Sequence, residues 1–230
     1  MKKYAFTLAE VLITLGVIGV VAAMTIPSLI QNNKAARLRT QFLKSYSTIT
    51  QVYRIMQNDT EGSLNSEYEH GTFYKNFSKY LKGSLDCGNY YEERINKKPC
   101  YAPNAGNNVY KSLNGAILGN SGERLLDDGI LVMPDSSILY FENNKEGDSA
   151  IYVSVDLNGI DNGPNIWGYD LFTFQFLDAL EVKAMGDMGT DFSPEQYCDS
   201  SKSSARNGIA CAFKAKNDPE YSKKIVKSIR

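Results

Sequence analysis

Two hydrophobic patterns follow one another along the first sixty positions of the chain. From Phe6 to Ile30 the side chains are almost all apolar and the only ionisable one is Glu10. That run exceeds the about 20 residues an apolar helix needs to cross a bilayer. Beyond Gln31 the polarity becomes mixed, and Leu38, Phe42, Tyr46, Ile49, Tyr53 and Met56 recur at alternating steps of four and three, which marks one face of an amphipathic helix. Lys34, Arg37, Lys44 and Arg54 fall on the other face. The sequence therefore predicts one long helix, with a membrane-grade segment over 6–30 and an amphipathic continuation over 31–58, ended by the polar residues Asn58, Asp59, Glu61 and Gly62. Pro27 lies inside it, where proline removes a backbone hydrogen bond and clashes with the preceding turn, so a kink or local melting is expected there.

Residues 59–230 read as a globular domain. Phe73, Phe77 and Leu81 mark a short amphipathic helix before Gly83. Two apolar runs, Ile130 to Met133 and Ile138 to Phe141, flank the turn Pro134-Asp135-Ser136-Ser137 and read as a hairpin. Ile151, Val153 and Val155 alternate with Tyr152 and Ser154 as a half-buried strand, and Phe172, Phe174 and Phe176 repeat the pattern. A capping box with proline at the first helical position, Ser193-Pro194-Glu195-Gln196, and a second start at Asp218-Pro219-Glu220 place short helices near the C-terminus. One long helix followed by closely spaced strands implies an α+β fold in which an antiparallel sheet lies across the helix stripe.

Composition narrows function by exclusion. A net charge of −1 over 230 residues leaves no field of one sign to attract nucleic acid or an acidic substrate. The single histidine, His70, sits in a polar linker, and the acidic pairs Glu92-Glu93 and Asp127-Asp128 read as solvated loops or turns, so no catalytic triad assembles and no enzymatic role is expected. Cys87, Cys100, Cys198 and Cys211 form two pairs of equal sequence separation. Local pairing is the simplest of the three connectivities that four cysteines allow. Reduced core thiols remain the alternative, but after an export segment structural disulfides are the better reading.

The N-terminus carries the most specific signal. Met1-Lys2-Lys3 is a short basic start that fits a signal peptide, a signal anchor or a transmembrane helix, with the lysines holding that end cytoplasmic. Glu10 separates these readings, because a carboxylate within an apolar run costs about 2.5 to 3.5 kcal/mol on insertion scales and implies a partner or a function. The stretch Ala5-Phe6-Thr7-Leu8-Ala9-Glu10-Val11-Leu12-Ile13 closely resembles the N-terminal signature of type IV prepilins and type II secretion pseudopilins.

That resemblance covers about thirty residues and implies a pilin-like fold. It also implies residues 1–5 as a leader, cleavage between Ala5 and Phe6 by a prepilin peptidase, and N-methylation of Phe6. Glycine is usual before the cut in that family, and here Ala5 stands there. The family further implies that the Phe6 amine of an incoming subunit meets Glu10 of its neighbour in a filament, and that the region around Pro27 can stretch on assembly. Implied partners are the peptidase, copies of the chain or related pilins, an inner-membrane assembly platform and membrane lipid. The implied location is a single-pass inner membrane protein with its domain outside the cytoplasm, then a periplasmic or surface filament. A plain single-span anchor carrying a binding module that never polymerises, and a DNA-uptake component, are the competing classes.

Two weaker constellations remain. Asp156-Leu157-Asn158-Gly159-Ile160-Asp161-Asn162-Gly163-Pro164-Asn165 gathers oxygen ligands at a strand exit. No cofactor is required by the reading, but Asp156, Asn158 and Asp161 suit calcium, and major pseudopilins have a calcium loop in their C-terminal region. A Gly/Asn/Asp turn closed by its own hydrogen bonds is the alternative. The basic tail, Lys214 to Arg230, carries Tyr221, Ile225 and Ile229 at helical spacing, so it reads as an amphipathic helix with a wet charged face rather than a nucleic-acid site.

Overall fold

The computed structural model describes residues 7–59, 71–89, 97–101, 109–143, 150–177 and 181–229. Helix α1 runs unbroken from Leu8 to Asp59. The helix passes through Pro27 without leaving helical geometry, so the expected local melting does not occur, and Thr25 nearby donates its hydroxyl to the Val21 carbonyl at 2.9 Å. Large apolar side chains from Leu8 to Ile30 stand exposed all round the helix, whereas Leu38, Phe42, Ile49, Tyr53 and Met56 are buried along one stripe. Tyr46 is partly buried at the edge of that stripe.

Helix α2 (Phe73–Ser78) precedes a six-stranded sheet of β1 (Leu85–Asp86), β2 (Gly129–Val132), β3 (Ile138–Asn143), β4 (Ile151–Asp156), β5 (Leu171–Leu177) and β6 (Glu181–Ala184). The strands lie in chain order and every neighbouring pair is antiparallel. The expected hairpin is β2–β3, with Val132 opposite Ile138. A short helix α3 (Gly119–Glu123) and one 3-10 turn, Arg124–Leu126, lie between β1 and β2. Three short helices close the chain: α4 (Pro194–Tyr197), α5 (Ala212–Asn217) and α6 (Tyr221–Ser228). Both C-terminal helix starts were expected, but Ser193 makes no side-chain capping bond, so α4 begins on its proline alone.

Register sorts the sheet into two faces. Phe141, Val153, Phe174 and Ala184 lie in one row across β3 to β6, and this face meets the helices. Phe42 packs edge-on against Phe172 with centroids 4.9 Å apart, and Tyr53 packs on Phe176 at 4.4 Å. Helix α2 adds Phe73 and Phe77 against Phe141 and Phe176. Gly129 makes that contact possible, since a Cβ there would stand 2.2 Å from the Tyr74 ring.

The opposite face is not solvated as the alternation in β4 suggested. Ser154 and Thr173 are fully buried and share a hydrogen bond of 2.7 Å, and Thr173 also accepts one from the Trp167 indole N–H at 3.1 Å. Segments 109–118 and 163–170 cover this face, and the close approach requires Gly208, whose φ is +104° and whose Cβ would meet the Trp167 carbonyl at 2.3 Å. Cys87–Cys100 and Cys198–Cys211 are both bonded, each across a separation of 13 residues, the local pairing the spacing suggested. Closing a loop of about 15 residues stabilises by roughly 3 kcal/mol in the chain-entropy model.

This packing makes a contrast testable. In the full chain held in detergent, Phe42→Ala should lose about 3 to 5 kcal/mol of domain stability. Leu12→Ala, on the exposed segment, should stay within about 0.5 kcal/mol. Denaturant unfolding followed by the fluorescence of the single tryptophan, Trp167, reads both.

Candidate functional site: the apolar helix and the aspartate loop

Glu10 lies in the first turn of α1. Its Oε2 accepts the Thr7 backbone N–H and the Thr7 hydroxyl, both at 2.8 Å, while the Glu10 N–H donates to Thr7 Oγ1 at 3.3 Å. The two residues form a capping box that satisfies helix-start donors reciprocally. Thr7-Leu8-Ala9-Glu10 ahead of an apolar run was the sequence signal for it. Among the described residues these bonds leave Glu10 Oε1 without a partner. Ala5 and Phe6, the positions expected to be processed, lie outside the described residues, as do His70 and the pair Glu92-Glu93.

The aspartate loop closes on itself. Asp156 is buried, and its Oδ1 accepts the N–H groups of Asn158 and Gly159 at 3.2 and 2.9 Å while Oδ2 accepts the Tyr110 hydroxyl at 2.8 Å. Tyr110 and Tyr140 hydroxyls are 2.9 Å apart, extending the network into the sheet. Asn158 sits beside Asp156 and donates its amide to the Asn162 carbonyl at 3.0 Å. Asp161 does not join them: it is exposed and pairs with Lys98 at 2.6 Å. In its stead the fold brings Asp170 to the loop, where its carboxylate accepts the N–H groups of Asn165 and Ile166 at 3.0 and 2.7 Å.

Acceptors outnumber donors here. Asn158 Oδ1 and Asn165 Oδ1 are both buried with no hydrogen-bond partner. Two carboxylates and two amide oxygens are donors of the kind calcium takes, and Asp156, Asp170, Asn158 and Asn165 supply such groups at this loop, while Asp161 is turned to Lys98. Asp170 lies just ahead of β5, fourteen residues past Asp156, too far along the chain for loop spacing to point to it. What sets it beside Asp156 is the pairing of β4 with β5.

A second acidic group was misjudged by adjacency. Asp127 and Asp128, expected in a solvated turn, are buried, because the chain turns there into β2 and Asp128 Oδ2 accepts the Asn143 N–H at 2.8 Å. With Glu142 they form a trio whose ligand-type oxygens lie within 4.8 Å of one another. Burial, with Asp128 and Asp127 adding to it, pushes the Glu142 carboxyl up to about 9. A charge inside the apolar β3 run was the signal available in sequence.

Comparison of the chain with protein-family models, with curated proteins and with solved structures finds no match in any of the three.

Burial, then the neighbouring Asp170, pushes the Asp156 carboxyl from 3.8 up to about 7. The folded state therefore holds a proton that the unfolded chain has released, and the stability this contributes is lost as pH rises from about 4 through about 7. Asp156→Asn should flatten that limb and leave the part due to Glu142, which extends to higher pH. Melting temperature measured between pH 4 and pH 8 reads the difference.

Proposed function

We propose that the chain is a structural subunit of a type IV pilus-like or type II secretion pseudopilus-like filament, assembled through α1 after removal of residues 1–5. The observation that carries this reading is Glu10: on a helix surface that is otherwise apolar from Leu8 to Ile30, it is the one ionisable group. Along about 1.5 Å per residue that surface extends roughly 35 Å, a bilayer's hydrocarbon thickness and more. An unpaired buried charge costs about 3 to 5 kcal/mol, so a carboxylate retained there needs a cation delivered to the same depth. Cleavage ahead of Phe6 creates an amine four residues from Glu10, and Oε1 is the oxygen left to receive it from a neighbouring subunit.

In this role α1 spans the inner membrane before assembly and the sheet domain lies outside the cytoplasm, where the two disulfides form. The work of the protein is assembly and contains no catalytic step. Its partners are a prepilin peptidase, an assembly platform and further copies of itself or related subunits.

Glu10→Ala should leave membrane insertion and the folded domain intact and reduce filaments to few or none, because the charge pair that sets register is gone. Mature wild-type protein in sheared filaments should begin at N-methylated Phe6 by mass spectrometry. Unchanged filament yield in Glu10→Ala, or an intact Met1 terminus, would favour the single-span anchor that never polymerises.

Calcium belongs to the same proposal. The ion would be held by Asp156 and Asp170 with the Asn158 and Asn165 amide oxygens, neutralising two buried carboxylates and tying the loop to β4 and β5. Calorimetry should show binding with millimolar affinity or better, together with a rise in melting temperature, and Asp170→Asn should weaken both by at least tenfold in affinity. Asp161→Asn should change neither.

A further inference from the structure

Where α1 leaves its apolar segment, it forms one wall of a cavity of about 300 Å³ lined by Asn33, Lys34, Arg37 and Gln41 from the helix and by Asn158 and Asn162 from the aspartate loop. Positions 34, 37 and 41 follow helical spacing and share one face of the helix. Lys34 and Arg37 are exposed, and neither forms an ion pair among the described residues. Lys34 is held over the Tyr169 ring with its ammonium 5.1 Å from the centroid. Gln41 donates its amide N–H to the Leu157 carbonyl at 3.0 Å and keeps Oε1 buried with no partner. The cavity thus offers two cations and one unfilled acceptor.

Its height relative to the apolar segment identifies the occupant. Lys34 and Arg37 stand about 6 and about 10 Å beyond Ile30 at about 1.5 Å rise per residue, and helical side chains lean towards the N-terminus, here the apolar end. The headgroup layer adds roughly 5 to 7 Å to each side of the hydrocarbon. We propose that this cavity binds the headgroup of phosphatidylglycerol, with the lipid phosphate on Lys34 and Arg37 and a glycerol hydroxyl donating to Gln41 Oε1. A choline headgroup has the same phosphate, but its quaternary ammonium cancels that charge and it has no hydroxyl to give, so it neutralises the two cations poorly and leaves Gln41 Oε1 unfilled. The proposal rests on the reading of α1 as a membrane anchor. In that setting the bound lipid fixes the azimuth of the sheet domain on the bilayer surface before the subunit is extracted.

The test uses the full chain. Purified in detergent and mixed with equal amounts of short-chain phosphatidylglycerol and phosphatidylcholine, it should retain the glycerol lipid at least tenfold more often in native mass spectra. Each basic residue near an anionic surface strengthens association by about fivefold, so Lys34→Glu with Arg37→Glu should weaken retention by about 25-fold or more. Lys79→Glu, an exposed position beside α2, should leave it unchanged. Gln41→Leu should lower the preference for the glycerol headgroup while retaining charge dependence. Flotation with phosphatidylcholine vesicles separates the two levels of the argument. A chain that floats yet retains both lipids equally, or retains them regardless of Lys34 and Arg37, overturns the headgroup site alone. A chain that does not float overturns the anchor reading and this site with it.

Discussion

The seam between the second half of α1 and the aromatic face of the sheet is the constraint from which the rest of the domain follows. Phe42, Tyr46 one turn on and Tyr53 two turns further share one stripe of the helix and meet Phe172, Phe174 and Phe176 at alternate positions of β5. A helical period of 3.6 and a strand period of 2 can be matched in this way only when the strand runs along the helix. That fixes the direction of β5, and a meander of antiparallel neighbours then fixes every other strand. It also fixes which half of α1 is left over: residues up to Ile30 have no sheet beneath them and keep their large apolar side chains exposed.

Covering the second face of the sheet has a different character. The helix side is filled by rings, whereas the coil side is filled by Trp167, by hydroxyls and by carboxylates that satisfy backbone N–H groups of the covering loops. Irregular chain cannot satisfy its own backbone as a helix does, so burying loops on a sheet demands side-chain acceptors at that face. Asp156 and Asp170 supply them. Their desolvation is the cost, and it surfaces as Asp156 and Asp170 carboxyl groups held above their ordinary range. The same acceptor-rich packing is what makes the aspartate loop suitable for a hard cation.

Periodicity made the helix-side half of this structure legible. The α1 stripe, the β2–β3 hairpin, the Phe-rich strand and the amphipathic C-terminal helix all announce themselves through apolar spacing, because one face of each is buried against a uniform partner. The coil-side half was not legible, since residues such as Ser154, Asp128 and Asp170 are buried by loops that carry no repeating pattern. Adjacent acidic residues looked solvated for the same reason: sequence shows neighbours along the chain and not the segment lying over them. Local spacing served the cysteine pairs well, but it could not show that the Asp161 carboxylate meets Lys98 across the surface or that a strand pairing brings Asp170 to the loop.

Glu10 joins the two halves of the molecule in one physical problem. In the single chain its carboxylate is occupied by Thr7, a local arrangement that orders the first turn of α1 and engages one oxygen only. A capping interaction of this kind is worth about a kilocalorie per mole, far less than the cost of an unpaired charge at membrane depth. The cap therefore cannot account for a carboxylate on an apolar surface, because serine or asparagine neighbours could start the helix without a charge. In the proposed filament both requirements are met together: Oε2 keeps the first turn wound and Oε1 takes the incoming amine. An apolar cylinder has no preferred axial position against its neighbours, since sliding it by one turn exchanges one greasy contact for another. A single charge near one end, matched by a single amine, removes that degeneracy, and it does so at the end of α1 farthest from the folded domain, where no sheet contact can set the register.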